Sequence, residues 1–137
     1  MPGDELVEAA IAARARAHAP YSRFKVGAAV RDRDGRIHAG CNVENAAYPE
    51  GICAETAALA AMVLAGGGEA VAVVVAGGGG APVLPCGGCR QRLRELGGPG
   101  LAIHAVGEQG QRLASYTLAE LLPHAFGPEH LNAKGTT

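Results

Sequence analysis

Tryptophan is absent from this chain of 137 residues, and phenylalanine (2) and tyrosine (3) are scarce. Cations are in no surplus either: 12 Lys and Arg stand against 13 Asp and Glu, a formal charge of -1. Polynucleotide binders want cationic tracks and aromatic stacking platforms, so nucleic acid is not an expected partner. The same balance argues against an anionic membrane surface. The longest apolar run, Ala57 to Ala65, falls far short of the ~20 residues that cross a bilayer. No basic stretch precedes an apolar one in MPGDELVEAA, so no secretory signal is expected. A soluble cytoplasmic protein follows as the expectation. In that reducing setting its four cysteines read as metal ligands or reactive thiols, not as a disulfide framework.

What the chain does have is glycine, 21 residues, about twice the usual ~7 %. Much of it lies at 66–68 and 77–80, which read as loops. Asp4 is placed to cap a helix with an apolar stripe at Leu6, Val7, Ala10 and Ile11, and Pro20 forbids its continuation. FKVGAAVRD and RIHAGCNV read as strands joined at an Asp-Gly turn, and CAETAALAAMVLA as a helix closed by Gly66. AVAVVVAG is a candidate central strand. CRQRLRELGG reads as a second short helix, and LAIHAVG and QRLASY complete five strands. The alternation predicts one α/β domain over 1–137, with helices packed on a mixed five-stranded sheet and a frayed polar tail after about residue 131. The run from Ala57 to Ala65 has no polar side chain. A helix apolar all round is buried on every side, so it is either very central or packed against another subunit.

Chemistry concentrates in two stretches. CAETAAL opens a buried helix with a thiol at Cys53 and a carboxylate at Glu55, and a carboxylate is expensive to bury without a partner. PCGGCRQ places Cys86 and Cys89 at a spacing that lets both thiolates meet one tetrahedral metal. A lone Cys-x-x-Cys also fits a thioredoxin-like redox pair. A closed structural zinc site wants four protein ligands. Three thiolates with an adjacent carboxylate suit a catalytic zinc whose fourth position is left to water. Cys41 lies outside any ligand spacing and reads as a small hydrophobe. The five histidines show no His-x-Glu pattern.

CAE followed by PCGGC resembles the zinc nucleoside and nucleobase deaminases, whose signature and mechanism are an established pattern. PYSRFKVGAAV, GCNVENAAYPEGICAE, PCGGCRQ and LLPHAFGPEHL are each similar to blocks of the small cytidine deaminases, in the same order from about residue 20 to 131. The resemblance implies a three-layer α/β/α fold and one Zn²⁺ per subunit, held by Cys53, Cys86 and Cys89. It implies hydrolysis of cytidine and 2′-deoxycytidine to the uridines in pyrimidine salvage. Zinc-bound hydroxide would attack C4, while Glu55 protonates N3 and passes a proton to the departing ammonia. Asn42 and Glu44 would grip the ribose hydroxyls, notably the 3′-OH. Phe24 would lie against the pyrimidine, and the Ala54 N–H would meet the base carbonyl. A free 3′-OH gripped in this way implies a free nucleoside as substrate.

The resemblance also implies a homotetramer, with Tyr48 and Phe126 approaching a neighbour's site. Many relatives carry arginine directly after the glutamate, where it offsets the formal -1 of a three-thiolate zinc. This chain has Thr56. Helix dipoles at Cys53 and Cys86 and the cation of Arg90 are the expected substitutes. Blander readings stand beside these: a polar turn at Asn42 and Glu44, core packing for Phe24, packing for Tyr48 and Phe126, and a solvated helix cation at Arg90. Competing functions are deamination of another aminopyrimidine, such as a blasticidin-type nucleoside, a structural zinc module, and a thiol redox protein.

Overall fold

β-Branched and small apolar residues in unbroken runs make strands that bury both faces, and AVAVVVA does so at the centre of the sheet. A computed structural model of the chain describes residues 4–131; the tail predicted to fray after about residue 131 lies outside them. The elements are α1 (Asp4–Ala15), β1 (Gly27–Asp32), β2 (Ile37–Cys41), α2 (Ala54–Leu64), β3 (Ala70–Ala76), α3 (Gly87–Gly97), β4 (Ala102–Val106), β5 (Arg112–Thr117) and α4 (Leu118–Leu121). The sheet order is β2-β1-β3-β4-β5. Only β3 and β4 pair in parallel among these neighbours; the other three pairings are antiparallel. The expected mixed five-stranded α/β/α architecture is the one observed.

Alternation along the strands divides the core in two. Ala28, Val30, Val73, Val75 and Ile103 meet Ala58, Leu59 and Met62 of α2 and Leu93 of α3. On the other face Ala29, Val74, Ala76 and Val106 meet Leu6, Val7 and Ala10 of α1. Two glycines set how closely the layers approach. A Cβ at Gly27 would fall 2.1 Å from the Ala10 carbonyl, and one at Gly40 would fall 2.4 Å from the Ala58 nitrogen. Helix backbone therefore rests directly on strand backbone at both points.

Several boundaries differ from the sequence reading. α1 stops at Ala15, before Pro20 is reached, and His18 bridges to Val43 instead. β1 begins at Gly27 rather than Phe24 because the Asn42 side chain takes up the backbone of Phe24 and Val26. α3 begins at Gly87, with Cys86 as its N-cap. α2 is not buried all round. Ala58, Leu59 and Met62 face the sheet, while Val63 is 54 % and Leu64 90 % exposed. A helix lying on one sheet face buries one side, so the very central position is excluded.

Candidate functional site

Two successive crossovers decide where the site lies. The pairings make β2, β3 and β4 parallel to one another. α2 joins β2 to β3 and α3 joins β3 to β4, so both helices begin beyond the C-terminal ends of the strands that precede them. Cys53 is the N-cap of α2 and Cys86 the N-cap of α3. Cys89 lies one turn into α3. Neither N-cap thiol makes a capping hydrogen bond, so both sulfurs are left to face each other.

Cys53 Sγ lies 3.6 Å from Cys86 Sγ, and the three sulfurs of Cys53, Cys86 and Cys89 lie within 4.8 Å of one another. Two sulfurs on one tetrahedral zinc, each about 2.3 Å from it, stand roughly 3.8 Å apart. The residues present fit the metal in ligand type, number and spacing. Burial raises the Cys89 and Cys53 thiols, whereas the Cys89 backbone N–H lowers Cys86. Three thiols packed so close, Cys89 buried, Cys53 half-buried and Cys86 exposed, favour a cation among them, which exchanges their protons for a metal. Thr56 Oγ1 approaches Cys89 Sγ at 3.3 Å.

Glu55 is 4 % exposed, and its carboxyl lies 3.9 Å from Cys89 Sγ. Burial pushes its pKa above the ordinary carboxylate value, against a smaller opposite pull from its own backbone N–H and from Cys89. A buried carboxyl with a raised pKa beside a cluster of candidate metal ligands is suited to giving and taking protons.

A cavity of about 620 Å³ opens over this cluster. Cys53, Cys86, Ala54 and Glu55 line one part of it; Phe24, Asn42, Glu44 and Tyr48 line another. The predicted residues, drawn from Phe24 to Cys86 along the sequence, thus share one concavity. Asn42 accepts from Val26 N–H at 2.9 Å and donates to the Phe24 carbonyl at 2.9 Å. Glu44 Oε1 accepts from the N–H groups of Tyr21 (2.9 Å) and Ser22 (3.1 Å). The Ser22 hydroxyl donates to Glu44 Oε2. These contacts, Ser22's first, hold the Glu44 carboxyl below the ordinary range. Phe24 is 49 % exposed, so its ring faces the cavity and is not core.

Other candidates are placed differently. Arg90 Nε donates to the Pro85 carbonyl (2.7 Å) and its Nη1 to the Leu121 carbonyl (2.8 Å). It pins the backbone before Cys86 to the end of α4, and these hydrogen bonds go to carbonyls rather than sulfurs. Tyr48 packs edge-on against Tyr21 at 6.3 Å, on the rim of its own chain's cavity. Phe126 stacks on His130 at 5.1 Å and does not line that cavity. Cys41 sits in β2, outside the sulfur cluster.

Sequence reasoning missed Ser22, Tyr21, Val43, Ile52, Val83 and Leu84, all of which line the cavity. Ser22 and Tyr21 stood in a quoted block, PYSRF, without being singled out. Their partner Glu44 is more than 20 positions away, beyond any local spacing rule.

Comparison with known proteins agrees with this geometry. The model for the cytidine and deoxycytidylate deaminase zinc-binding region matches residues 3–105. The chain is 42 % identical over 127 residues to a cytidine deaminase of Halalkalibacterium halodurans, covering 93 % of this chain and 96 % of the relative. It is 46 % identical over 120 residues to a cytidine deaminase of Mycobacterium tuberculosis, covering 87 % and 85 %. The crystal structure of a Burkholderia pseudomallei cytidine deaminase superposes with a TM-score of 0.85 at 47 % identity, covering 92 % of this chain and all of that one.

Proposed function

The chain belongs to the cytidine and deoxycytidylate deaminase family and is a zinc-dependent hydrolytic deaminase; from that premise we propose that it converts cytidine and 2′-deoxycytidine to uridine and 2′-deoxyuridine in cytoplasmic pyrimidine salvage. The observation that carries this reading is the buried Glu55 carboxyl beside three clustered sulfurs, on the same cavity as Asn42 and Glu44.

Cys53, Cys86 and Cys89 would hold the zinc ion. When bound, zinc would supply a water whose pKa is lowered toward about 7. Glu55 is the proton carrier: it protonates ring N3 and delivers a proton to the amine leaving C4. Its burial favours both tasks, because it raises the carboxyl's pKa above the ordinary carboxylate value and so strengthens its hold on a proton it must also give up. Over the cycle one water adds oxygen at C4 and one ammonia leaves. The Ala54 N–H, in the first turn of α2, donates to the base carbonyl. Phe24 lies against the pyrimidine. Glu44 and Asn42 accept and orient the sugar, which favours a free nucleoside over a polynucleotide.

The whole of 1–137 acts as one domain within a homotetramer. Exposed Val63 and Leu64 on α2, and exposed Tyr48 and Phe126 (77 % and 55 %), support association, with Tyr48 and Phe126 reaching toward neighbouring copies.

The test is ammonia release from cytidine, 2′-deoxycytidine and free cytosine, with and without a zinc chelator. Fast, chelator-sensitive release from both nucleosides and little from cytosine is expected. Glu55→Gln should keep its zinc and lose turnover by 10²-fold or more, the scale of a missing acid–base group. Release from cytosine as fast as from cytidine would overturn the sugar-dependent reading. Full activity of Glu55→Gln would remove its proposed role.

A further inference from the structure

The Glu44 carboxylate has its acceptor sites almost filled before any substrate arrives. An ionised carboxylate offers about four lone-pair directions, two on each oxygen. Oε1 receives the N–H groups of Tyr21 and Ser22, and Oε2 receives the Ser22 hydroxyl. One direction remains, on Oε2, in a residue that lines the cavity. Ser22 does a second thing with the same oxygen: its Oγ accepts the Phe24 N–H at 2.9 Å. Between these two residues Arg23 has a φ of 62°, a left-handed backbone uncommon for a non-glycine residue. The Phe24 N–H, the Ser22 hydroxyl and Glu44 Oε2 therefore form a chain of donors that bridges a strained turn and ends on the one carboxylate oxygen still able to accept.

We propose that Ser22 is a positioning residue of the sugar subsite, fixing the plane of the Glu44 carboxylate so that its one remaining acceptor direction meets a single sugar hydroxyl. This rests on the reading of Glu44 as the acceptor for the ribose 3′-OH. Without Ser22 the carboxylate is tied at Oε1 alone and can pivot about that oxygen. The hydroxyl is the group's sole O–H, so its donation to Oε2 also dictates that Phe24 N–H is what it accepts. A sugar hydroxyl is a donor, and it completes the carboxylate's set instead of displacing an existing bond. Two hydroxyls cannot both be taken by Glu44 while Ser22 holds its place.

Steady-state kinetics of Ser22→Ala with cytidine and with 3′-deoxycytidine tests this. For cytidine, KM should rise about tenfold, the scale of one charge-assisted hydrogen bond, while kcat stays within about twofold because Ser22 is remote from the reacting atoms. For 3′-deoxycytidine, the KM of the variant should match that of the unaltered protein. Ser22→Thr, which keeps the hydroxyl, should return the cytidine KM toward its original value. Ser22→Cys, nearly isosteric but a weak donor, carries the same expectation as Ser22→Ala should the alanine variant fail to fold. Equal KM increases for both nucleosides would overturn the proposal, since Ser22 would then act through Phe24 or general packing. Indifference of the unaltered protein to loss of the 3′-OH would instead overturn the ribose reading of Glu44 on which the proposal stands.

Discussion

At Thr56 a hydroxyl meets the Cys89 sulfur at 3.3 Å. A hydroxyl donor lowers the Cys89 pKa against the burial that raises it, and so favours the thiolate that a metal needs. It does this without a full charge. Thr56→Val keeps the shape and removes the donor, and it should weaken zinc binding by about tenfold, the lower end of the range for groups that orient metal ligands. Competition with a chromogenic chelator reads this directly, and an unchanged affinity would show that the contact does not tune the site. Spacing drew attention to the three cysteines and Glu55, and the family resemblance supplied their roles. The sequence shows the threonine at 56 but not its contact, which crosses 33 positions and which only the packing of α2 against α3 brings about. Arg90 shows the converse: its place after Cys89 suggested the thiolates, whereas carbonyls at Pro85 and Leu121 lie within its reach and need donors more.

The β1–β2 hairpin was legible from the Asp-Gly pair at 34–35, but the residue that ties it was not. Asp32 is 1 % exposed at the end of β1. Its Oδ1 accepts the N–H groups of Asp34 (2.9 Å) and Arg36 (3.0 Å), and its Oδ2 lies 2.8 Å from His38 Nε2 and 3.1 Å from Arg36 Nε. These partners, His38 foremost, hold its pKa at about 2, below the usual 3.8. A depressed folded-state pKa adds stability that is complete above the unfolded value and is lost as pH falls through the folded one. Asp32→Asn should therefore unfold at a lower temperature than the unaltered protein at pH 6, and the gap should close as pH falls from about 4 toward 2. A gap that stays constant across that window would mean that Asp32 contributes by shape and not by charge. At α4 the signal was available: Thr117 and Glu120 form a capping box, a Thr-x-x-Glu pattern that sequence shows directly. Asp32 gives no such sign, because a strand-end aspartate looks the same whether solvated or buried.

For the whole molecule, the five strands and the mixed sheet followed from local patterning, whereas the exposure of α2 did not. A helical run with no polar residue, as at 57–65, fits the core or an interface equally well, and only the tertiary arrangement shows that Leu64 lies 90 % exposed. Single-chain burial cannot explain an apolar outer face, and the proposed homotetramer supplies a reason for it. Leu64→Lys should reduce the mass measured by light scattering, because a lysine at a packed contact must be desolvated. A monomeric unaltered protein would refute the tetramer, and a variant of undiminished mass would place the contact elsewhere. The parallel run of β2, β3 and β4 has a further consequence for how such a protein can change. The segment after β2 carries Asn42 and Glu44, and the segment after β3 carries Cys86. On the proposed reading, selection can thus revise the grip on the sugar through positions 42–44, early in the first segment, while leaving Cys53 at that segment's far end, Cys86 in the second segment and the sheet beneath both intact.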